Sequence, residues 1–274
     1  MFKIPAKELE WQISSPQVMG ILNLTPDSFY EASRHLNIES ALAQTELFIN
    51  EGATIIDIGA QSTRPGAHME GAAIEIKRLI PYIEAIAQAY PKQLISVDTF
   101  YASVAEAALA AGAHIVNDIS CGSFDENILA VVAKNNAAYI GMHLTGGIDS
   151  MHKVEPRADI IATLIRYFED KKNLLLKYGI NHWVIDPGFG FGKTVEENFT
   201  ILKKINELKM LELPILLGAS RKSSLYKTLG IESKDALNAT TVANTVALLK
   251  GANILRVHDV KEAAEIIQLL PYLQ

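Results

Sequence analysis

Polar side chains stand directly after each of the short apolar runs that recur along this 274-residue chain. After three of these runs comes a carboxylate or an amide, at Asp98, Asn117 and Asp186. Acceptors of this kind suit the donor-rich edge of a heterocycle that carries an amino group and ring N–H groups, because a buried carboxylate needs donors to offset its desolvation. The residues therefore indicate a site for a planar ligand with several N–H groups.

A second set of polar residues favours an anion. It consists of Asn23, Arg64, Arg256 and His258. Each guanidinium group could bind phosphate oxygens through two parallel N–H groups, and Lys222 could serve either end of the ligand. The alternative is that such charges pair with one another inside the fold, for example Asp186 with Lys222, since buried ion pairs are an available but weak source of stability.

The elements that must position these residues are eight brief runs rich in Val, Ile and Leu, as expected for strands of a parallel sheet that is buried on both faces. The runs are residues 18–22, 54–58, 94–97, 114–116, 138–142, 183–185, 215–217 and 254–257. Stretches with helical spacing of apolar residues lie between them. Glycine follows such a stretch and precedes a strand at Gly52, Gly112, Gly179 and Gly251, where the end of a helix favours a left-handed residue.

Eight strands that alternate with helices predict an α/β fold, a (β/α)8 or TIM barrel, whose functional residues gather at the C-terminal ends of the strands. A doubly wound open sheet is the alternative, because it shows the same alternation. We find no break in composition and expect one domain over residues 1–274, with residues 1–17 as a lead-in to the first strand of the barrel.

Composition restricts the possible partners and the location. Lys and Arg total 25 against 31 Asp and Glu, and the net charge of −6 argues against a general nucleic-acid binder. No apolar run approaches the roughly 18 residues of a membrane span, and the first residues lack the apolar core of a signal peptide. One cysteine, Cys121, excludes an internal disulfide. We expect a cytoplasmic protein without a membrane segment.

One glycine-rich segment resembles a phosphate-binding loop but departs from that pattern. Pro187 replaces the glycine that opens a P-loop. Thr194 and Glu197 instead predict a capping box at the start of the next helix. The histidines and Cys121 lack the spacing of a zinc site, so we interpret Cys121 as a packed thiol.

Seven segments together resemble the dihydropteroate synthases of the folate pathway. They are residues 19–29 (MGILNLTPDSF), 57–59 with 62–66 (DIG, STRPG), 98–99 (DT), 117–118 (ND), 186–193 (DPGFGFGK), 218–223 (GASRKS) and 256–260 (RVHDV). The segments occur in family order and cover nearly the whole chain. The family has other residues at three places, where this chain has Tyr30–Ser33, Gly59–Ser62 and Leu144–Gly147.

The resemblance implies a TIM barrel that joins the methyl group of a dihydropterin pyrophosphate to the amine of p-aminobenzoate, and it implies a sulfonamide target. It implies pterin contacts from Asp98, Asn117, Asp186 and Lys222, and pyrophosphate contacts from Asn23, Arg64, Arg256 and His258, with Mg2+ near Asn23. It implies p-aminobenzoate contacts from Pro26, Phe29, Thr63, Phe191, Ser220 and Lys222. Of these residues, Asp98, Lys222, Arg256 and His258 would act in catalysis.

Three further expectations follow. The loops at residues 25–37 and 61–71 are long for this fold, so we expect them to be mobile without ligand and p-aminobenzoate to bind after the pterin end is filled. The resemblance also suggests a homodimer through the late helices, where residues 241–249 could supply an apolar face, although ordinary core packing explains that stripe equally well. Two rival functions are a pterin-dependent methyltransferase, which has no need of residues 63–64 and 220–222, and a pterin-binding protein without catalysis, against which the anion set argues.

Overall fold

The computed structural model describes residues 1–24, 38–61, 70–147, 150–151, 153–154 and 156–273. The strands are β1 Phe2–Ala6, β2 Leu9–Ile13, β3 Gln17–Asn23, β4 Ile55–Gly59, β5 Leu94–Asp98, β6 Ile115–Asp118, β7 Ala138–Met142, β8 Val184–Asp186, β9 Leu216–Leu217 and β10 Ile254–Val257. The α-helices are α1 Ile38–Asn50, α2 Ala72–Ala89, α3 Ala102–Ala110, α4 Asn127–Lys134, α5 Ile160–Lys177, α6 Val195–Lys204, α7 Ser223–Leu229, α8 Leu237–Leu249 and α9 Val260–Leu269.

The strands β3 to β10 form one parallel sheet in the order β8-β7-β6-β5-β4-β3-β10-β9. A parallel bridge between Ile185 and Ile215 joins its two ends, where the Ile185 amide donates to the Pro214 carbonyl at 3.0 Å. The sheet therefore closes on itself with helices around it. This confirms the predicted TIM barrel and excludes the open sheet, and all eight predicted strands are present at or near their expected positions.

A hairpin covers the N-terminal end of the barrel. Its strands β1 and β2 pair antiparallel, with Phe2 opposite Ile13. Trp11 is fully buried there, and it packs with Ile4 against residues at the starts of the barrel strands, such as Met19. Most of the predicted lead-in thus forms a lid of two strands over an apolar barrel floor.

Strand periodicity explains where the polar residues lie. On β4, Ile56 and Ile58 face the helices, whereas Ile55 and Asp57 point into the barrel. The inward face changes from apolar near the N-terminal ends of the strands to polar near their C-terminal ends, because alternate residues share one face of a strand. The barrel interior therefore has an apolar floor and a charged upper layer.

Local signals in the sequence define the ends of several helices. Thr194 accepts from the Glu197 amide while the Glu197 side chain accepts from the Thr194 amide, so the predicted capping box starts α6. The four glycines predicted at helix ends have φ between +79° and +114°. No helix in the described part of the chain is both long and apolar enough to span a bilayer.

Candidate active site

Arg256 lies at the centre of the charged layer. From β10 its Nε donates to Asp57 Oδ2 on β4 at 2.6 Å, and its Nη2 donates to Asp98 Oδ2 on β5 at 2.5 Å. Asn117 on β6 donates to the same Asp57 oxygen at 3.2 Å. One guanidinium thus links two carboxylates, and one carboxylate links Arg256 to Asn117.

This arrangement bears on two interpretations of the sequence. The sequence analysis assigned Asp98 to the pterin end and Arg256 to the anion end of the ligand, whereas the two side chains are in direct contact. The internal ion pair suggested there was Asp186 with Lys222, but among the described residues the barrel pairs are those of Arg256 with Asp57 and Asp98. The guanidinium of Arg256 on β10 reaches the carboxylates of β4 and β5, which are adjacent strands, and so serves both of them.

Burial and neighbouring charges shift the pKa values of this layer. Burial raises the pKa of Asp98 to about 7, with Arg256 opposing the rise and Asp57 adding to it. Burial and the charge of Arg256 lower the pKa of Lys222 to about 8 and that of His258 to about 4. His258 is therefore a neutral imidazole at pH 7, and Arg256 provides the permanent positive charge.

Ser220 and His258 join the loops that follow β9 and β10. The Ser220 hydroxyl lies 3.0 Å from His258 Nδ1 and accepts the His258 amide at 3.2 Å. We assign the tautomer in which the Ser220 hydroxyl donates to Nδ1, because its oxygen already accepts the His258 amide, and in this tautomer Nε2 carries the ring proton. The resemblance implied p-aminobenzoate contacts from Ser220 and pyrophosphate contacts from His258, so residues expected to bind these two different groups are in direct contact here.

Arg221, which lies between Ser220 and Lys222 in the chain, points away from the barrel. Its guanidinium holds Asp259 with bonds of 3.0 and 2.8 Å and also donates to two main-chain carbonyls near residue 233. Arg221 thus fixes the two loops to each other and leaves Ser220 and Lys222 on the site side.

Asp186 and Lys222 face each other across the point where the barrel closes. Asp186 Oδ1 accepts the Gly188 amide at 2.7 Å, which orients the carboxylate, and burial raises the pKa of the Asp186 carboxyl group. The Lys222 ammonium lies 4.0 Å from the centre of the Phe191 ring, within range of a cation–π contact. A cavity of about 710 Å³ opens beside Phe191 and Lys222 and extends along α7 to Tyr226.

Two groups of contacts escaped the sequence analysis. Asp57 is fully buried and accepts hydrogen bonds from Arg256 and Asn117. The sequence signal for this role was its position two residues after Ile55, which places both side chains on the inward face of β4. The second group is an apolar wall over the C-terminal strand ends. It consists of Phe100, Ile119, Met142, Leu144, Met151 and Phe191. Apart from Phe191, its members carry no chemistry that distinguishes them from ordinary core residues in a sequence.

The predicted residues Pro26, Phe29, Thr63 and Arg64 lie outside the described residues. Asn23 is described and ends β3 beside Gly59, close to Asp98. The described residues contain no group of three or more His, Cys, Asp or Glu side chains that could hold a metal ion. Mg2+ commonly keeps water molecules and substrate phosphates as ligands, so a single amide oxygen at the barrel mouth is compatible with it.

Comparisons with known proteins agree with this geometry. The family model described as pterin binding enzyme matches residues 19–258. Dihydropteroate synthase of Synechocystis sp. is 42% identical over 92% of this chain and 88% of its own length. The Escherichia coli enzyme of that name is 38% identical over 98% of this chain and 95% of its own length.

Solved structures give the same result. The Yersinia pestis dihydropteroate synthase in complex with a sulfonamide drug has a TM-score of 0.93 at 36% identity and covers 99% of both chains. The Xanthomonas albilineans enzyme with 4-aminobenzoic acid has a TM-score of 0.92 at 33% identity and covers 99% of this chain and 98% of that one. The barrel, its polar upper layer and these similarities over nearly the full length show that the chain belongs to the dihydropteroate synthase family of pterin-binding enzymes.

Proposed function

We propose that this chain condenses 6-hydroxymethyl-7,8-dihydropterin pyrophosphate with p-aminobenzoate to give 7,8-dihydropteroate and pyrophosphate. The observation that carries the proposal is the convergence of Asp98, Asn117 and Asp186 from three strands beside the guanidinium of Arg256. It supplies acceptors for a donor-rich ring and a cation for an anionic leaving group in one layer. The Xanthomonas relative solved with 4-aminobenzoic acid supports the second substrate.

The pterin ring is assigned to the acceptors of the upper layer. Asp98 and Asp186 would accept ring and amino N–H groups, and Asn117 would contribute an amide that Asp57 already orients. Lys222 would donate to the ring carbonyl or nitrogen from the other side of the closing point. A ligand with N–H groups gives both buried carboxylates the donors that buried charges require.

The pyrophosphate is assigned to Arg256 and His258, with Arg64 as the further cation that the resemblance implies. As the C–O bond breaks, its electron pair passes to the pyrophosphate oxygen, so donors aimed at that oxygen stabilise the transition state. Arg256 supplies charge and the neutral His258 supplies an N–H group. Asn23 would hold Mg2+, which when bound provides further positive charge to the leaving group.

The arylamine is assigned to the space beside Phe191, Ser220 and Lys222, with Pro26, Phe29 and Thr63 implied by the resemblance. The pterin-methyl cation is stabilised by its own ring, and the Asp98 carboxylate favours that positive charge. The amine then attacks the methyl carbon and loses a proton. No covalent bond to the protein forms, so positioning and electrostatics provide the acceleration.

The test is release of pyrophosphate by the purified protein with both substrates and Mg2+ present. We expect release that depends on p-aminobenzoate, formation of dihydropteroate by mass spectrometry, and strong loss of both in Asp98→Asn. Binding of the pterin without turnover would identify a binding protein instead. Methyl transfer to a corrinoid would identify the methyltransferase. The homodimer and the cytoplasmic location stay predictions.

A further inference from the structure

The turn between β8 and α6 carries three glycines in the left-handed region. Gly188, Gly190 and Gly192 have φ of +68°, +85° and +56°. Side chains hold the main chain at each of them. Asp186 accepts the Gly188 amide at 2.7 Å, Asn198 accepts the Gly190 amide at 2.7 Å, and Arg157 donates to the Gly192 carbonyl at 3.0 Å. These contacts, together with the positive φ angles that glycine permits, fix the path of this glycine turn, residues 188–192.

Lys193 holds the glycine turn from inside. Its ammonium group donates to the carbonyls of Gly188 at 2.8 Å, Phe191 at 3.1 Å and His143 at 3.5 Å. The residue is 5% exposed, and no carboxylate of the described residues lies within ion-pair distance of it. Burial and the charge of Arg157 lower the pKa of Lys193 to about 7, whereas the charges of Asp186 and Glu197 oppose that shift. A buried cation is costly unless polar groups surround it, and the three carbonyls supply such groups to the ammonium.

The glycine turn contacts Lys222 at two places. The Phe191 ring, whose carbonyl Lys193 binds, lies 4.0 Å from the Lys222 ammonium. At Gly190 the main chain packs on the Lys222 stem, since a Cβ atom there would lie 3.1 Å from Lys222 Cδ. A shift of the turn would therefore move Phe191 off Lys222 and uncover the ammonium.

We propose that Lys193 is a positioning residue, whose bonds to the carbonyls of the glycine turn keep the Phe191 ring over Lys222. Lys193 acts on the ligands only through Phe191 and Lys222 and is given no contact with them. The expected effect on p-aminobenzoate rests on the proposed function, whereas the effect on Lys222 does not.

A double-mutant cycle tests the proposal. Lys193→Met and Phe191→Leu should each raise KM for p-aminobenzoate by about tenfold or more, with a smaller change in kcat, because a displaced ring no longer shapes the binding space. The double variant should be no worse than the poorer single variant, since both changes remove the same contact. Lys203→Met, at an exposed position of α6, is the matched control and should leave KM unchanged.

A second measurement needs no activity. Acetic anhydride should modify Lys222 several-fold faster in ligand-free Lys193→Met than in the parent protein, with no change in Lys203→Met. If Lys193→Met does not fold, Lys193→Gln keeps N–H donors and should show intermediate values of both quantities. Additive effects on KM, or a lowered melting temperature with KM and Lys222 labelling unchanged, would overturn the proposal. Lack of pyrophosphate release by the parent protein would overturn the proposed function alone, because labelling still tests Lys193.

Discussion

Asp98 determines how binding of the pterin should depend on pH. Burial raises the pKa of its carboxyl group from the ordinary value of 3.8 to about 7. Only the ionised carboxylate can accept two ring donors, so a bound pterin favours loss of the proton. Affinity should therefore rise with pH and level off above about 7. Below that pKa each pH unit costs about tenfold, or about 1.4 kcal/mol, so binding at pH 5 should be about a hundredfold weaker than the plateau.

Calorimetry with 6-hydroxymethylpterin between pH 5 and 8 measures this dependence. Repeating the titrations in buffers of different ionisation enthalpy should show release of about one proton per pterin below pH 6. Asp98→Asn should bind more weakly at pH 8 by about 1.5–3 kcal/mol, the value of one charged hydrogen bond, and should lose the slope. Asp170→Asn, at an exposed position of α5, is the control. A flat profile in the parent protein, or the same slope in Asp98→Asn, would refute the reasoning.

Three other substitutions test the surroundings of the site. Arg256→Ala should weaken binding of the pyrophosphorylated pterin more than that of the bare pterin, and equal losses for both ligands would assign Arg256 to the ring alone. The same substitution should lower the free energy of unfolding by about 3–5 kcal/mol, because two carboxylates lose their shared partner. Asp118→Asn should cost about 3 kcal/mol in urea unfolding, because the buried carboxylate accepts four hydrogen bonds, and a cost below about 1 kcal/mol would contradict this. Gly188→Ala should lower both the melting temperature and pterin affinity, since its Cβ would overlap the His143 carbonyl oxygen, whereas Gly71→Ala has open space around it and should change neither.

The sequence was sufficient for the barrel and for most of the upper layer. Short runs rich in Val, Ile and Leu between helical stretches are typical of strands buried on both faces, and the C-terminal ends of parallel strands meet at one rim. This reasoning predicts that Asp98, Asn117, Asp186 and Arg256 share one rim, and all four lie at the C-terminal ends of their strands. The capping box at Thr194 and the glycines at helix ends were predictable for the same reason, because their signals act within a few residues.

Contacts across the barrel were not predictable. Residues 57, 98 and 256 are far apart in the chain, and the order of the strands does not determine which carboxylate a guanidinium group binds. The role of Lys193 was not predictable either, because its partners are main-chain carbonyls, which every residue type carries. The hairpin of β1 and β2 was missed because its few apolar residues become a lid only when the barrel floor exists beneath them.

The closing point between β8 and β9 has a consequence for local dynamics. These are strands of three and two residues, joined by a single bridge, whereas β3 and β4 pair over five positions. Opening at this line should need less free energy than global unfolding, so its amides should exchange with deuterium ahead of those in β4. Asp186 and Lys222 stand on opposite sides of the line. A ligand that binds both Asp186 and Lys222 would hold the two sides of this line together and raise the free energy of opening. Slower deuterium exchange at Ile185 and its neighbours would then report ligand binding without any measurement of turnover.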